Sequence, residues 1–126
     1  MSFFTANVTR EVEITDSETG VVAHVTIKKF SEGDIQRRTD TMSLFFKDGV
    51  ADMKVALGAL RKFDLETAVV GWDIEGVPFE AEKLSDMDPV ITEVIYAEVQ
   101  KFNPSVYASE EAPLKDTPAE KPMKKR

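Results

Sequence analysis

The sequence predicts an α+β domain, and three observations carry that expectation. Two runs near the N-terminus alternate apolar and polar residues at a period of two, the signature of half-buried strands. Later stretches repeat their apolar residues at helical spacing. The last of these begins at an Asp-Pro cap and ends at Asn103-Pro104.

The first run, Val8 to Thr15, sets Val8, Val12 and Ile14 on one face and Glu11, Glu13 and Thr15 on the other. The second, Val21 to Lys28, sets Val21, Ala23, Val25 and Ile27 against His24, Thr26 and Lys28. Asp16-Ser17-Glu18-Thr19-Gly20 joins them as a turn-rich linker, so the pair reads as an antiparallel hairpin with one wet face. A lone hairpin is marginal in water, so helices must cover its apolar side.

That cover starts at Ser31-Glu32-Gly33-Asp34, a hydroxyl residue with an acid three positions later, as in a capping box. Ile35, Arg38, Met42, Phe45 and Phe46 follow at helical spacing, and Lys47-Asp48-Gly49 supplies a stop. The stretch 50–60 fits two periods: Met53, Val55 and Leu57 alternate, while Val50, Met53, Leu57 and Leu60 fit a helix. Gly58 in its interior tips the reading towards a third strand, with Asp64 opening a separate helix through Leu65, Ala68, Val69 and Trp72. Gly76 and Pro78 make a loop of Asp73 to Phe79, and Ala81-Glu82-Lys83-Leu84 reads as a short helical turn. In the last helix Asp88 caps, Pro89 takes the first position, and Val90, Ile91, Val94, Ile95, Val99 and Phe102 form one apolar stripe. Three to four helices therefore pack against the hairpin.

Charge divides the chain. Its 126 residues carry 16 Lys and Arg against 23 Asp and Glu, a net charge of −7. Residues 1–102 hold 11 of the positive and 19 of the negative side chains, a net −8, which leaves +1 for the remainder. Four of the six prolines and few apolar residues lie beyond Asn103, too few to offset the ordering cost of roughly 1–2 kcal/mol per residue. The expected organisation is one domain over 1–103 and a flexible tail over 104–126. No apolar run approaches the roughly 18–20 residues of a membrane span, and the N-terminus lacks a basic-then-apolar signal. A soluble protein with no membrane partner is expected.

The same composition narrows the chemistry. The absence of cysteine removes disulfides, thiolate metal sites and a thiol nucleophile. The single histidine, His24, lies on the polar face of a strand, where a surface role fits better than a general base. Phosphate-loop glycine spacing and calcium-loop acid spacing are both missing. Acid pairs such as Asp86/Asp88, Glu80/Glu82 and Glu110/Glu111 read as solvated surface. Arg37-Arg38 and Arg61-Lys62, basic pairs in an acidic core, read as solvated residues or as partners for nearby acids. Asn7-Val8-Thr9 matches a glycosylation acceptor but carries no weight without a secretory signal. The expectation is a non-enzyme that needs no cofactor or metal and binds no nucleic acid. Trp72 reads as a core residue closing a helix on the hairpin, or as an interface anchor. Phe3-Phe4 reads as core or as an exposed docking element.

A family resemblance rests on Val69-Val70-Gly71-Trp72-Asp73-Ile74-Glu75-Gly76-Val77-Pro78-Phe79, then Glu82-Lys83-Leu84, then the helix from Pro89 to Pro104. That order resembles tail assembly chaperones and related small tail-morphogenesis proteins of long-tailed bacteriophages, over roughly Lys29 to Pro104. Gly33-Asp34-Ile35-Gln36-Arg37-Arg38 is similar to a segment of actinobacterial-phage versions. The resemblance implies a chaperone in the cytoplasm of the infected bacterium that binds the tape measure protein and then gives way to tail tube subunits. It also implies a frameshift-extended form in which the tail acts as a linker. An apolar groove between the last helix and the Trp72 helix is the expected client site, with Trp72, Val94, Ile95 and Phe102 as its residues. Self-association is a further expected partnership. The runner-up is a structural virion component, such as a head–tail connector, tail terminator or minor tail protein. A small acidic inhibitor or DNA mimic ranks third.

Overall fold

The computed structural model describes residues 3–5, 8–46 and 53–108. Strands β1 (Thr9–Thr15) and β2 (Val22–Lys28) form the expected antiparallel hairpin, with Val12 opposite Val25 and Ile14 opposite Ala23. The linker turns because the Asp16 carboxylate accepts the amides of Glu18 and Thr19, and Gly20 adopts a φ of +76°. The first of those amides does most to hold the Asp16 carboxyl below its ordinary pKa. Val12, Ile14, Val25 and Ile27 are buried, whereas Val21 precedes β2 and stays exposed.

Helix α1 (Glu32–Phe46) opens with a reciprocal capping box. The Asp34 amide donates to the Ser31 hydroxyl at 3.2 Å, and the Ser31 amide donates to the Asp34 carboxylate at 2.9 Å. Asp34 is buried and also takes Lys28 at 2.9 Å and Arg37. Burial pushes its pKa up, but the Ser31 amide and the Lys28 ammonium outweigh it, so the carboxyl sits below its ordinary value. The expected stop at Lys47-Asp48-Gly49 lies outside the described residues.

The middle of the chain departs from expectation. Residues 53–68 form one continuous helix, α2 (Met53–Ala68), and the third strand is β3 (Val69–Trp72). Ala56, Leu60, Asp64 and Ala68 recur every fourth residue and are all buried, so the helical period governs and the alternation of Val55 and Leu57 does not. Gly58 faces open space on this helix, where its cost is tolerated. Asp64 is an interior residue, not a cap, and Trp72 is on a strand, not a helix. The β-branched pair Val69-Val70 suits the switch from helix to strand. β3 joins β2 antiparallel, giving the sheet order β1-β2-β3 with an irregularity at Thr26/Ile27.

A 3₁₀ helix (Ala81–Asp86) and α3 (Pro89–Phe102) complete the helical layer. Asp88 caps α3 by accepting the Val90 amide at 3.0 Å. Ile95, Val99 and Phe102 face the sheet, in one core with Val25, Ile27, Leu65, Val69 and Leu84. Each such aliphatic side chain contributes about 1.5–3 kcal/mol by leaving water. Asn103 does more than stop α3: its side chain accepts the Phe30 amide at 2.8 Å and donates to the Val99 carbonyl at 3.0 Å. Asn103→Ala strands a buried amide, and a loss of about 1–3 kcal/mol in urea unfolding is expected.

The boundary at Asn103 also needs correcting. Residues 104–108 are helical and Tyr107 is buried in the core, so the fold continues at least to Ala108. The rest of the expected tail, including Glu110/Glu111 and Lys124-Lys125-Arg126, lies outside the described residues.

Candidate functional site

Four elements meet on one carboxylate. Asp64 in α2 is 0% exposed. It accepts Arg38 of α1 at 2.8 Å, Tyr107 of the 104–108 segment at 2.8 Å and Tyr96 of α3 at 3.4 Å. The Arg38 guanidinium also lies 4.9 Å from the Tyr107 ring centroid. A buried, hydrogen-bonded charge cluster of this kind fixes how the helices dock. Arg38, expected as a solvated residue or an acid's partner, is the partner of a buried acid.

Burial, followed by the neighbouring Asp64 carboxylate, raises the Tyr107 phenol far above its ordinary value of 10.0. A raised pKa in the folded state means stability is intact below pH 10 and lost as pH rises beyond it, because the unfolded chain ionises first. Unfolding free energy measured from pH 9 to 11 should therefore fall faster in the wild type than in Tyr107→Phe, by up to about 1.4 kcal/mol per pH unit.

The cluster braces a groove. Gly58, Arg61, Lys62, Leu65 and Glu66 of α2 form one wall, facing Leu84, Ser85, Met87, Pro89 and Thr92 around a space of about 300 Å³. The floor is Leu65 and Leu84, both buried core residues. Residues 55, 58, 62 and 66 share one side of α2, so exposed Val55 extends that wall by one turn. Arg61 is held across to α3, donating to Glu93 at 3.0 Å and Thr92 at 3.2 Å, with Tyr96 5.3 Å beneath it. Arg61, Lys62 and Glu66 are the charged residues of the lining, and Lys83, Asp86, Asp88 and Glu93 flank it in sequence. An aliphatic floor between polar, mixed-charge walls suits the apolar ridge of an amphipathic helix. Two other hollows lie along 72–78 and between α3 and 104–108, and neither unites three elements over a core floor.

The groove lies between α3 and the helix that contains Asp64 and Leu65, but none of Trp72, Val94, Ile95 and Phe102 lines it. Trp72 sits on β3, partly buried against the core, its indole donating to the Val77 carbonyl at 2.7 Å and its ring edge-on to Phe79 at 4.8 Å. That contact pins the loop of Gly76, whose φ is +77°. Ile95 and Phe102 point into the same core, with Arg10 4.5 Å over the Phe102 ring. Val94 is exposed on the outer side of α3. Three of the four expected contact residues therefore pack inward, and the fourth stands apart. Local sequence signals do not join these residues into a groove, because Gly58 argues for a strand and Leu84 and Met87 sit in short, irregular segments.

His24 lies on the outer sheet face, its Nδ1 3.1 Å from the Asp73 carboxylate. The His24 amide, then its imidazole, keeps the Asp73 carboxyl below its ordinary pKa. Among the described residues, no three His, Asp or Glu side chains converge to hold a metal ion. No helix among them is long and apolar enough to cross a membrane. Compared with known proteins, the chain matches no family model, and no curated protein or solved structure shows significant similarity to it.

Proposed function

We propose that this chain is a non-enzymatic assembly chaperone of a long-tailed bacteriophage, acting in the cytoplasm of the infected cell. Its client is the tape measure protein, which it holds until tail tube subunits take over. The observation that carries this reading is the α2–α3 groove, with an apolar floor, a wall extended by Val55 and charged residues of both signs at its edges. A tape measure protein is long and helical, and an amphipathic segment of it matches that surface. The resemblance of the segment from Val69 to Pro104 to tail assembly chaperones supports the same client.

Purifying the chain together with the tape measure protein of the same genome tests the proposal. A soluble complex is expected, weakened by Gly58→Trp. No complex, or one indifferent to both Gly58→Trp and Ser85→Trp, would overturn it. A second reading, a structural virion component, draws on one observation: Phe3 is 92% and Phe4 79% exposed, as in an inter-subunit arm. Its presence in purified particles, in stoichiometric amounts, would favour that reading over the chaperone.

A further inference from the structure

Two features at opposite ends of α3 complement each other. At one end, the Phe3-Phe4 arm leaves the fold beside the helix C-terminus. The Val8 amide donates to the Thr5 carbonyl, the Lys29 amide to the Val8 carbonyl, and the Phe30 amide to the side chain of Asn103, which caps α3. At the other end, Pro89 and Thr92 line the groove.

The arm does not fill its own groove, as the exposure of both rings shows. Geometry explains why. Thr92 to Phe102 spans about 15 Å of helix, while the two steps from Thr5 to Phe3 span at most about 7 Å. Thr5 is itself tied to Val8.

We propose that copies of this chain associate head to tail, the Phe3-Phe4 arm of one copy seated in the α2–α3 groove of the next. Leu65, Leu84 and Met87 offer the rings an apolar floor. The first nine residues carry no charged side chain, so the arm meets no repulsion from Arg61, Lys62 or Glu66 on the groove wall. Donor and acceptor are different surfaces of one chain, so the contact is heterologous and repeats from copy to copy. Two rings on a short arm bury little area, so assembly is weak and concentration-dependent. This inference stands apart from the client reading and needs no tape measure protein.

Sedimentation of purified protein over a wide concentration range tests it. The wild type should grow in mass with concentration. The double variant Phe3→Ser/Phe4→Ser, which keeps its groove, and Gly58→Trp, which keeps its arm, should each remain monomeric. Mixed together, the two should form a 1:1 dimer that cannot extend. Ser85→Trp is the second groove variant should circular dichroism show that Gly58→Trp misfolds. A wild type monomeric at every concentration, arm or groove variants that assemble like it, or a mixture that stays monomeric would overturn the proposal.

Discussion

Replacing Asp64 with alanine is expected to cost about 3–5 kcal/mol in urea unfolding, because the change takes the carboxylate at 2.8 Å away from the buried Arg38 guanidinium. Tyr107 also loses its acceptor, and with it the anchor of residues 104–108. A loss of that size approaches the whole stability of a small domain. The physical reason is the charge left buried, not the strength of the ion pair. Replacing both partners with apolar residues of similar volume, Arg38→Met with Asp64→Leu, should therefore recover much of the loss. A double variant as unstable as Asp64→Ala alone would show that the polar contacts themselves, including those to Tyr107 and Tyr96, carry the effect.

Under the proposed function, Gly58→Trp should weaken binding of the tape measure protein by at least about 30-fold, the scale of a hot-spot loss near 2 kcal/mol, while the fold survives. A Cβ at this position meets nothing within 4 Å, so the new ring extends over the groove, not into the core. Gly58→Ala separates the groove from the backbone. Alanine relieves the entropic cost of a helical glycine and should raise stability by about 0.5–1 kcal/mol, leaving the groove largely open. The pair thus predicts opposite outcomes: a more stable chain that still binds, and a folded chain that does not.

Where a pattern was local, the sequence could be read directly. The hairpin, the Ser31–Asp34 capping box, the Asp88-Pro89 start of α3 and the turn at Gly76 each depend on residues within a few positions of one another. α2 and β3 could not be read that way. Asp64 resembles a helix start, yet its carboxylate is used by Arg38 and Tyr107, 26 and 43 positions away. Gly58 argues against a helix locally, and the buried stripe of Ala56, Leu60 and Ala68 overrides it. Tyr107 sits in a proline-rich, charged stretch that reads as tail, and tertiary contact to Asp64 orders it. The groove was hidden for the same reason. Its walls come from α2 and from the junction of the 3₁₀ helix with α3, and no single window of sequence contains both.

Hydrogen–deuterium exchange of the chain with and without the proposed client, the tape measure protein of the same genome, tests the central claim most directly. The account predicts slowed exchange along 55–66 of α2 and through 84–92, the two walls of the groove, with the outer sheet face around His24 and Thr26 unchanged. Slowed exchange on that sheet face with the groove unaffected, or no change anywhere at saturating client, would contradict it.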